Sequence, residues 1–128
     1  MEGKQKSVRE IGEMYGISRH LLRRYESYEL IKHSGRNKYG YLYYDELMVE
    51  RIVFIRHLQS CGFELPEIKA LLNLNKKDIR DALVRRVDEL KAKKAHIDKL
   101  ISQTEKIIES INDLEDLKIT EILKGEER

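Results

Sequence analysis

Basic and phenolic side chains are concentrated in one short stretch of this 128-residue chain. All seven tyrosines lie between Tyr15 and Tyr44. Residues 18–44 carry six lysines and arginines against two glutamates, a net charge of +4, whereas residues 1–17 sum to zero and residues 45–128 to −2. Because cationic and phenol groups clustered in one element match the phosphates of a polyanion, the stretch predicts a binding site for duplex DNA.

The candidate DNA-binding residues fall into two groups by expected role. At the start of a recognition helix, a bidentate arginine–guanine contact contributes about 1–3 kcal/mol of discrimination between bases. We expect base contacts from Arg19, His20 and Arg23, which follow the cap residue Ser18. We expect phosphate contacts, which position the protein without specifying a sequence, from Arg24, Tyr25, Arg36, Lys38 and Tyr41. The alternative is a solvated charged helix face, with Tyr41 or Tyr43 packed inside its own hairpin.

Two short helices joined by a tight turn are predicted to carry the first group. Ser7 and Glu10 have the spacing of a capping box, and Val8, Ile11 and Met14 or Tyr15 form the expected buried face. Gly16 suits the left-handed residue that ends a helix, and Ser18 is a second N-cap opening a helix to about Tyr28. The pattern is that of a helix-turn-helix, with Leu21 and Leu22 facing inward.

A β-hairpin wing and a pair of helices are predicted to follow. Glycines at positions 35 and 40 and the tyrosine-rich segment 38–44 favour a small hairpin. Asp45 is expected to cap a helix that ends at Gly62 and buries its apolar positions, Met48, Ile52, Ile55 and Leu58. Pro66 suits the first turn of a second helix, whose apolar positions are Leu65, Ile68, Leu71 and Leu72.

The last long segment has the heptad pattern of a coiled coil. Asn75 is the expected cap, and from Leu83 to Ile111 the spacing of apolar positions alternates between four and three over about four repeats. Lys94 and Thr104 interrupt the apolar seam, and Leu100, Ile107 and Leu114 widen it. The residues expected at a dimer interface are Leu83, Val87, Leu90, Ile97, Ile101, Ile108 and Ile111. Because this chain has nothing large enough to cover the stripe, we expect a homodimer.

The order of these elements resembles the MerR family of bacterial transcription regulators. The segments that resemble its motifs are Leu22–Glu26 in the recognition helix, Gly40–Tyr44 in the wing and Phe54–Lys69 in the helix pair. The resemblance covers residues 7–74 in order, with the helix of 76–112 in the expected place. It implies a mainly α fold, with a winged helix-turn-helix DNA-binding domain (1–75) followed by a dimerisation helix that forms an antiparallel coiled coil (76–112). The heptad breaks after Leu114, and the short acidic tail (113–128) is expected to hold at most a short helix around Ile119, Ile122 and Leu123.

Three positions depart from the family pattern. Arg24-Tyr25 stands where two adjacent tyrosines are usual, and Glu29 replaces the glycine that usually follows the recognition helix. Leu42 replaces the arginine that usually follows Gly-Tyr in the wing, so we expect the wing to rely on Arg36, Lys38 and tyrosine hydroxyls. The target sequence therefore cannot be carried over from the family.

Several other kinds of site are disfavoured by composition. A single cysteine excludes an internal disulfide and a cysteine-rich zinc site, and the four dispersed histidines form no ligand pair. We therefore expect no metal and no cofactor, and Cys61 is either packing or a candidate redox sensor. No apolar run is long enough to span a membrane and the N-terminus lacks a signal peptide, so we expect a cytoplasmic protein.

The leading interpretation is a dimeric, sequence-specific regulator that binds an inverted repeat in a promoter. The family resemblance implies that such a dimer distorts its promoter so that RNA polymerase can engage it, although repression by occlusion is equally open. A small effector would have to bind between the long helices and the DNA-binding domain of the partner subunit. The alternative function is a non-specific architectural or adaptor protein that recruits a partner through its coiled coil. No phosphate loop, nucleophile–base pair or carboxylate dyad indicates an enzyme.

Overall fold

The structure is a computed structural model that describes residues 5–125. It is mainly helical, and it contains strands β1 (Lys6–Ser7), β2 (Gly35–Arg36) and β3 (Leu42–Tyr44), and helices α1 (Val8–Tyr15), α2 (Arg19–Ser27), α3 (Glu46–Ser60), α4 (Leu65–Leu72), α5 (Lys76–Asn112) and α6 (Asp116–Lys124). The chain divides into two compact units, residues 1–79 and 80–128, with the division inside α5. The predicted fold class, a mainly α chain with a winged helix-turn-helix and a long helix after it, is confirmed.

Side-chain caps set the turn between α1 and α2. The Ser7 hydroxyl accepts a hydrogen bond from the Glu10 amide at 3.1 Å, and the Glu10 carboxylate accepts one from the Ser7 amide at 3.0 Å. Gly16 ends α1 at φ +67°, a left-handed conformation that glycine adopts without steric cost. The Ser18 hydroxyl then accepts from the Leu21 amide at 3.0 Å and begins α2. The predicted helix-turn-helix is therefore confirmed down to its caps.

The wing is a three-stranded antiparallel sheet in the order β1-β3-β2. Gly35 pairs with Tyr43 and Arg36 with Leu42, as expected of the predicted hairpin. The third strand, β1, pairs Lys6 with Tyr44 and Ser7 with Tyr43. A two-residue strand has no periodicity to reveal it, so sequence reasoning missed β1.

The core of the first unit lies where the helix-turn-helix, the wing and the α3–α4 pair meet. Its fully buried side chains are Ile11, Ile17, Leu22, Tyr25, Leu30, Tyr44, Ile52, Ile55 and Ile68. Two predictions of burial are wrong. Met14 and Tyr15 are 59% and 39% exposed, because the pairing of β1 with β3 holds the N-terminal rather than the C-terminal end of α1 against the sheet. In α3 Val49, not Met48, occupies the first buried position.

The helix pair α3–α4 begins and ends as predicted. The Asp45 carboxylate accepts a hydrogen bond from the Met48 amide at 2.9 Å and begins α3. At the other end, Gly62, at φ +89°, directly follows the C-cap residue Cys61. Pro66 lies in the first turn of α4, where the missing N–H would have no helical partner. Leu65, Ile68 and Leu71 are buried, while Leu72 is partly exposed.

Helix α5 contains 37 residues, of which none is buried in the single chain. The Asn75 side chain caps it by accepting from the Asp78 amide at 2.8 Å. Along the predicted seam Val87, Leu90, Ile97, Ile101, Ile108 and Ile111 are between 45% and 53% exposed. The short helix expected in the tail is α6, which ends at Lys124 with Gly125 as its C-cap, and residues 126–128 lie outside the described part of the chain. Among residues 5–125 no helix is both long and apolar enough to cross a membrane.

Candidate nucleic-acid interface

The buried face of α2 determines which of its side chains reach the surface. Leu22 and Tyr25, three residues apart, are 2% and 0% exposed and hold α2 against the core. Arg19, His20 and Arg23 therefore project from the opposite side into solvent. We call these three side chains the recognition face. A helix N-terminus with two exposed guanidinium groups and an imidazole suits the electronegative base edges and phosphates of a DNA groove.

The wing loop is built by hydrogen bonds to its own backbone. The Asn37 side-chain oxygen accepts from the amides of Tyr39 and Tyr41 at 2.9 and 3.1 Å, and the Asn37 amide donates to the Tyr41 carbonyl at 2.8 Å. Gly40 closes the turn at φ +83°. The loop therefore presents Lys38 and the 70% exposed ring of Tyr39 at its tip, with the Lys38 ammonium 5.1 Å from the ring centroid.

Arg36 braces the turn of the wing and keeps other donors free. Its guanidinium donates a 2.8 Å hydrogen bond to the Gly40 carbonyl, and thereby braces the turn. A guanidinium has five N–H donors, so others are free to face a phosphate. Leu42, opposite Arg36 in the ladder, fills the place at which an arginine was expected from the family pattern.

A cleft of about 250 Å³ separates the recognition face from the wing. Arg19 and Arg23 line one wall, while Arg36, Tyr41 and Leu42 line the other. Residues that are more than a dozen positions apart in sequence thus share one electropositive groove. We call this groove the helix–wing cleft.

A carboxylate lies within this basic cleft. Glu26, on the last turn of α2, accepts a 2.6 Å hydrogen bond from the Tyr44 hydroxyl, and the Nδ1 atom of His33 lies 3.2 Å from the same oxygen. Burial of the Tyr44 ring, and then the hydrogen bond to Glu26, raise the pKa of the Tyr44 phenol well above its usual value. Tyr44 therefore remains a neutral donor, and the bond joins the recognition helix to strand β3.

Arg24 lies in a different place from Arg19 and Arg23. It lines a second depression together with Tyr28, Arg56 and the residues that begin α4, among them Glu64 and Pro66. We call Arg24 and Arg56 the second basic patch. Sequence reasoning named Arg24 but not Arg56 as a DNA contact, because nothing local in α3 distinguishes Arg56 from a solvated arginine.

Tyr25 is a core residue, which corrects the expectation that it contacts a phosphate. Its side chain is fully buried, and its hydroxyl donates to the side-chain oxygen of Gln59 in α3 at 2.5 Å. Burial raises the pKa of the Tyr25 phenol, an effect that the nearby Arg56 and Arg24 partly offset. Tyr25 therefore orients α2 by packing in the core, and its buried side chain is not placed to contact DNA. Its position three residues after the apolar Leu22 was the signal that could have shown this.

Arg9 is a further basic residue that sequence reasoning missed. It lies on the exposed side of α1 and forms a 3.0 Å ion pair with Glu13. Glu13, and to a smaller extent the Tyr41 phenol of the wing, raise the pKa of the Arg9 guanidinium, so α1 lies beside the wing at the edge of the interface. Only the tertiary arrangement of α1 and the wing reveals it.

Cys61 occupies the C-cap of α3, where its side chain is exposed. Neither packing nor a sensing role is tested by this position, so the candidate redox sensor stays a prediction. Within residues 5–125 no group of three or more histidine, cysteine, aspartate and glutamate side chains is arranged to hold a metal ion.

Two family descriptions match the sequence. Residues 6–75 match the family described as MerR HTH family regulatory protein, and residues 49–117 match that described as MerR, DNA binding. Together these matches include the helix-turn-helix, the wing, the α3–α4 pair and α5.

Individual relatives are similar over most of the chain. A probable heavy metal-dependent transcriptional regulator of Haemophilus influenzae is 33% identical over 108 residues, which cover 82% of this chain and 81% of the relative. The HTH-type transcriptional activator mta of Bacillus subtilis is 28% identical over 118 residues, or 92% of this chain. The match spans only 46% of that activator, and the chain spans about half the length of several other curated relatives.

A solved structure has the same fold. The crystal structure of MtaN, the N-terminus of the Bacillus subtilis multidrug transporter activator, superposes with a TM-score of 0.72 at 29% identity, over 80% of this chain and 97% of that one.

Proposed function

Because the chain belongs to the MerR family of transcriptional regulators, we propose that it binds duplex DNA at promoters as a homodimer and regulates transcription. The observation that carries this proposal is the helix–wing cleft, in which Arg19 and Arg23 of the recognition helix face Arg36 of the wing. One unit of the chain thus offers a groove-binding helix and a phosphate-binding hairpin side by side.

The geometry divides the interface into parts with different tasks. The recognition face, Arg19, His20 and Arg23, is suited to base edges in the major groove, and Ser18 fixes the first turn that carries it. Arg36, Lys38 and Tyr41 are suited to the phosphates beside the groove. The second basic patch, on another side of α2, is suited to a phosphate farther along the same duplex.

The apolar stripe of α5 supports the dimer. Half-exposed aliphatic side chains at heptad spacing over this length are rare on a helix that stays in water, and a second copy of α5 offers the matching stripe. We propose an antiparallel pair, as in the expected domain plan of residues 76–112. Two copies would then contact the two halves of an inverted repeat, since operator symmetry mirrors protein symmetry.

Regulation is proposed to act through the shape of the DNA. Bending a site of 20–30 base pairs costs about 1–6 kcal/mol, so any interaction that stabilises the bent state shifts the equilibrium between silent and active promoter. RNA polymerase is the partner that would engage the distorted promoter. Such a protein would act in the cytoplasm, where the chromosome of a bacterium lies.

A second candidate function is a non-specific architectural or adaptor protein. Leu42 in the wing favours it, because the wing then has one cation fewer to fix the register of the protein on one particular site. That function predicts similar affinity for unrelated duplexes and binding governed by salt.

Affinity selection of genomic DNA with the purified protein, followed by sequencing, distinguishes the two. We expect enrichment of one inverted repeat with half-sites about two helical turns apart. Recovery of DNA without sequence enrichment, from a protein that still binds duplexes in low salt, would refute the specific regulator and favour the architectural protein.

A further inference from the structure

We infer that Glu26 is a positioning residue of the DNA interface, whose hydrogen bond with Tyr44 fixes the recognition helix relative to the wing. This inference rests on the proposed function and deepens it. It assigns a role to the carboxylate in the helix–wing cleft, a side chain whose negative charge should oppose DNA binding.

The negative charge of Glu26, taken alone, should weaken the binding of DNA. The cleft contains three arginines, and a carboxylate among them lowers the positive potential that attracts phosphates. The partners of the Glu26 carboxylate are the Tyr44 hydroxyl and the His33 ring. Its contacts are therefore those of a structural link between elements.

The link joins the two halves of the interface. Glu26 follows Arg19 and Arg23 at spacings that place all three on one side of α2. Tyr44 is 1% exposed and ends β3, the central strand of the wing sheet, so the sheet fixes the position of its hydroxyl. A bond between the two restrains rotation and tilt of α2 relative to the wing, and thus the distance between base-contacting and phosphate-contacting arginines.

Three substitutions separate positioning from charge. Glu26→Gln removes the charge but keeps a side-chain oxygen that accepts from Tyr44. Glu26→Ala removes the charge and the acceptor, and Tyr44→Phe removes only the donor. Tyr43→Phe is the matched control, because it deletes the same hydroxyl one residue earlier on the same strand, where alternate side chains face opposite sides of the sheet.

The measurement is the ratio of affinity for the selected repeat to affinity for a random duplex. We expect Glu26→Ala and Tyr44→Phe each to lower this ratio about tenfold, the effect of one hydrogen bond to a charged group. The double variant should be no worse than either single one, since both break the same bond. Glu26→Gln should keep most of the ratio, and Tyr43→Phe should leave it unchanged. Equal gains in affinity for both DNAs in Glu26→Ala and Glu26→Gln would overturn the inference, because they would show that charge is the whole effect.

A second readout needs no DNA. Amide hydrogen exchange in the wing, residues 35–44, should accelerate about tenfold in Glu26→Ala and Tyr44→Phe but not in Tyr43→Phe. Unchanged exchange would contradict the inference even if the wild-type protein selected no sequence, whereas failure of selection with accelerated exchange would refute only the proposed function.

Discussion

The hydroxyl of Tyr25 in the recognition helix donates a 2.5 Å hydrogen bond to the side-chain oxygen of Gln59 in α3. Tyr25 is the residue directly after two exposed arginines, yet its ring is fully buried. The contact therefore sets the depth at which α2 packs on α3, and with it the direction in which the recognition face points.

Tyr25→Phe is expected to lower the free energy of unfolding by about 1 kcal/mol, because it removes one hydrogen bond and leaves the Gln59 oxygen without that donor. It should leave the affinity for a random duplex unchanged, because a buried hydroxyl makes no phosphate contact. Urea unfolding and fluorescence anisotropy with a random duplex measure the two effects. Tyr41→Phe in the exposed wing is the control, with the opposite expectation: unchanged stability and weaker DNA binding. A loss of affinity for a random duplex in Tyr25→Phe as large as that in Tyr41→Phe would support the phosphate contact that the burial of Tyr25 contradicts.

Arg23→Ala should weaken binding to the selected repeat by about 1–3 kcal/mol more than it weakens binding to random DNA, because a base contact is lost. Arg36→Ala should weaken both alike and reduce the salt slope by about one unit, as expected for a phosphate contact. Fluorescence anisotropy with both duplexes measures the difference. Arg85→Ala on α5 removes the same charge outside the cleft and should change neither quantity. Equal effects of Arg23→Ala on every sequence would contradict specific recognition by α2.

Ile101→Asp should convert the protein to a monomer, since a carboxylate in the middle of the apolar seam would be buried without a partner in the dimer. Sedimentation equilibrium gives the mass directly. Gln103→Asp introduces the same side chain two residues away, off the seam, and should preserve the dimer. A dimer that survives Ile101→Asp would show that the stripe of α5 is not the interface.

Glu29→Gly should raise the free energy of unfolding by about 1 kcal/mol. Glu29 follows α2 in the left-handed conformation, at φ +60°, which costs a non-glycine residue about 1–2 kcal/mol. The substitution also removes an exposed ion pair with Lys69 at 3.8 Å, a contact that contributes little. Glu29→Ala, which removes the same ion pair and keeps the strained backbone, is the control and should give no gain. Equal stability of the glycine and alanine variants would show that backbone strain is not relieved at this position.

The sequence by itself determined the order of the helices and most of their ends, but not strand β1. The caps at Ser7, Ser18, Asp45 and Asn75 and the glycine that ends α1 all stand where they were expected. These features can be predicted from sequence because a cap or a heptad stripe depends on side chains within four or seven residues of one another. The same locality made the buried face of α4 largely predictable, whereas in α2 it identified Leu22 but not Tyr25.

Tertiary structure alone decided which side chains share a surface. The sequence placed Arg24 and Tyr25 together in one group of phosphate contacts, whereas the fold buries Tyr25 against Gln59 and turns Arg24 toward Arg56. Arg9 and Glu26 acquire their neighbours Tyr41 and Tyr44 only when the wing folds back on the helix-turn-helix. Contacts of this kind join residues that are far apart in the chain, so no local spacing encodes them; they follow from how the helices and the sheet pack around one core.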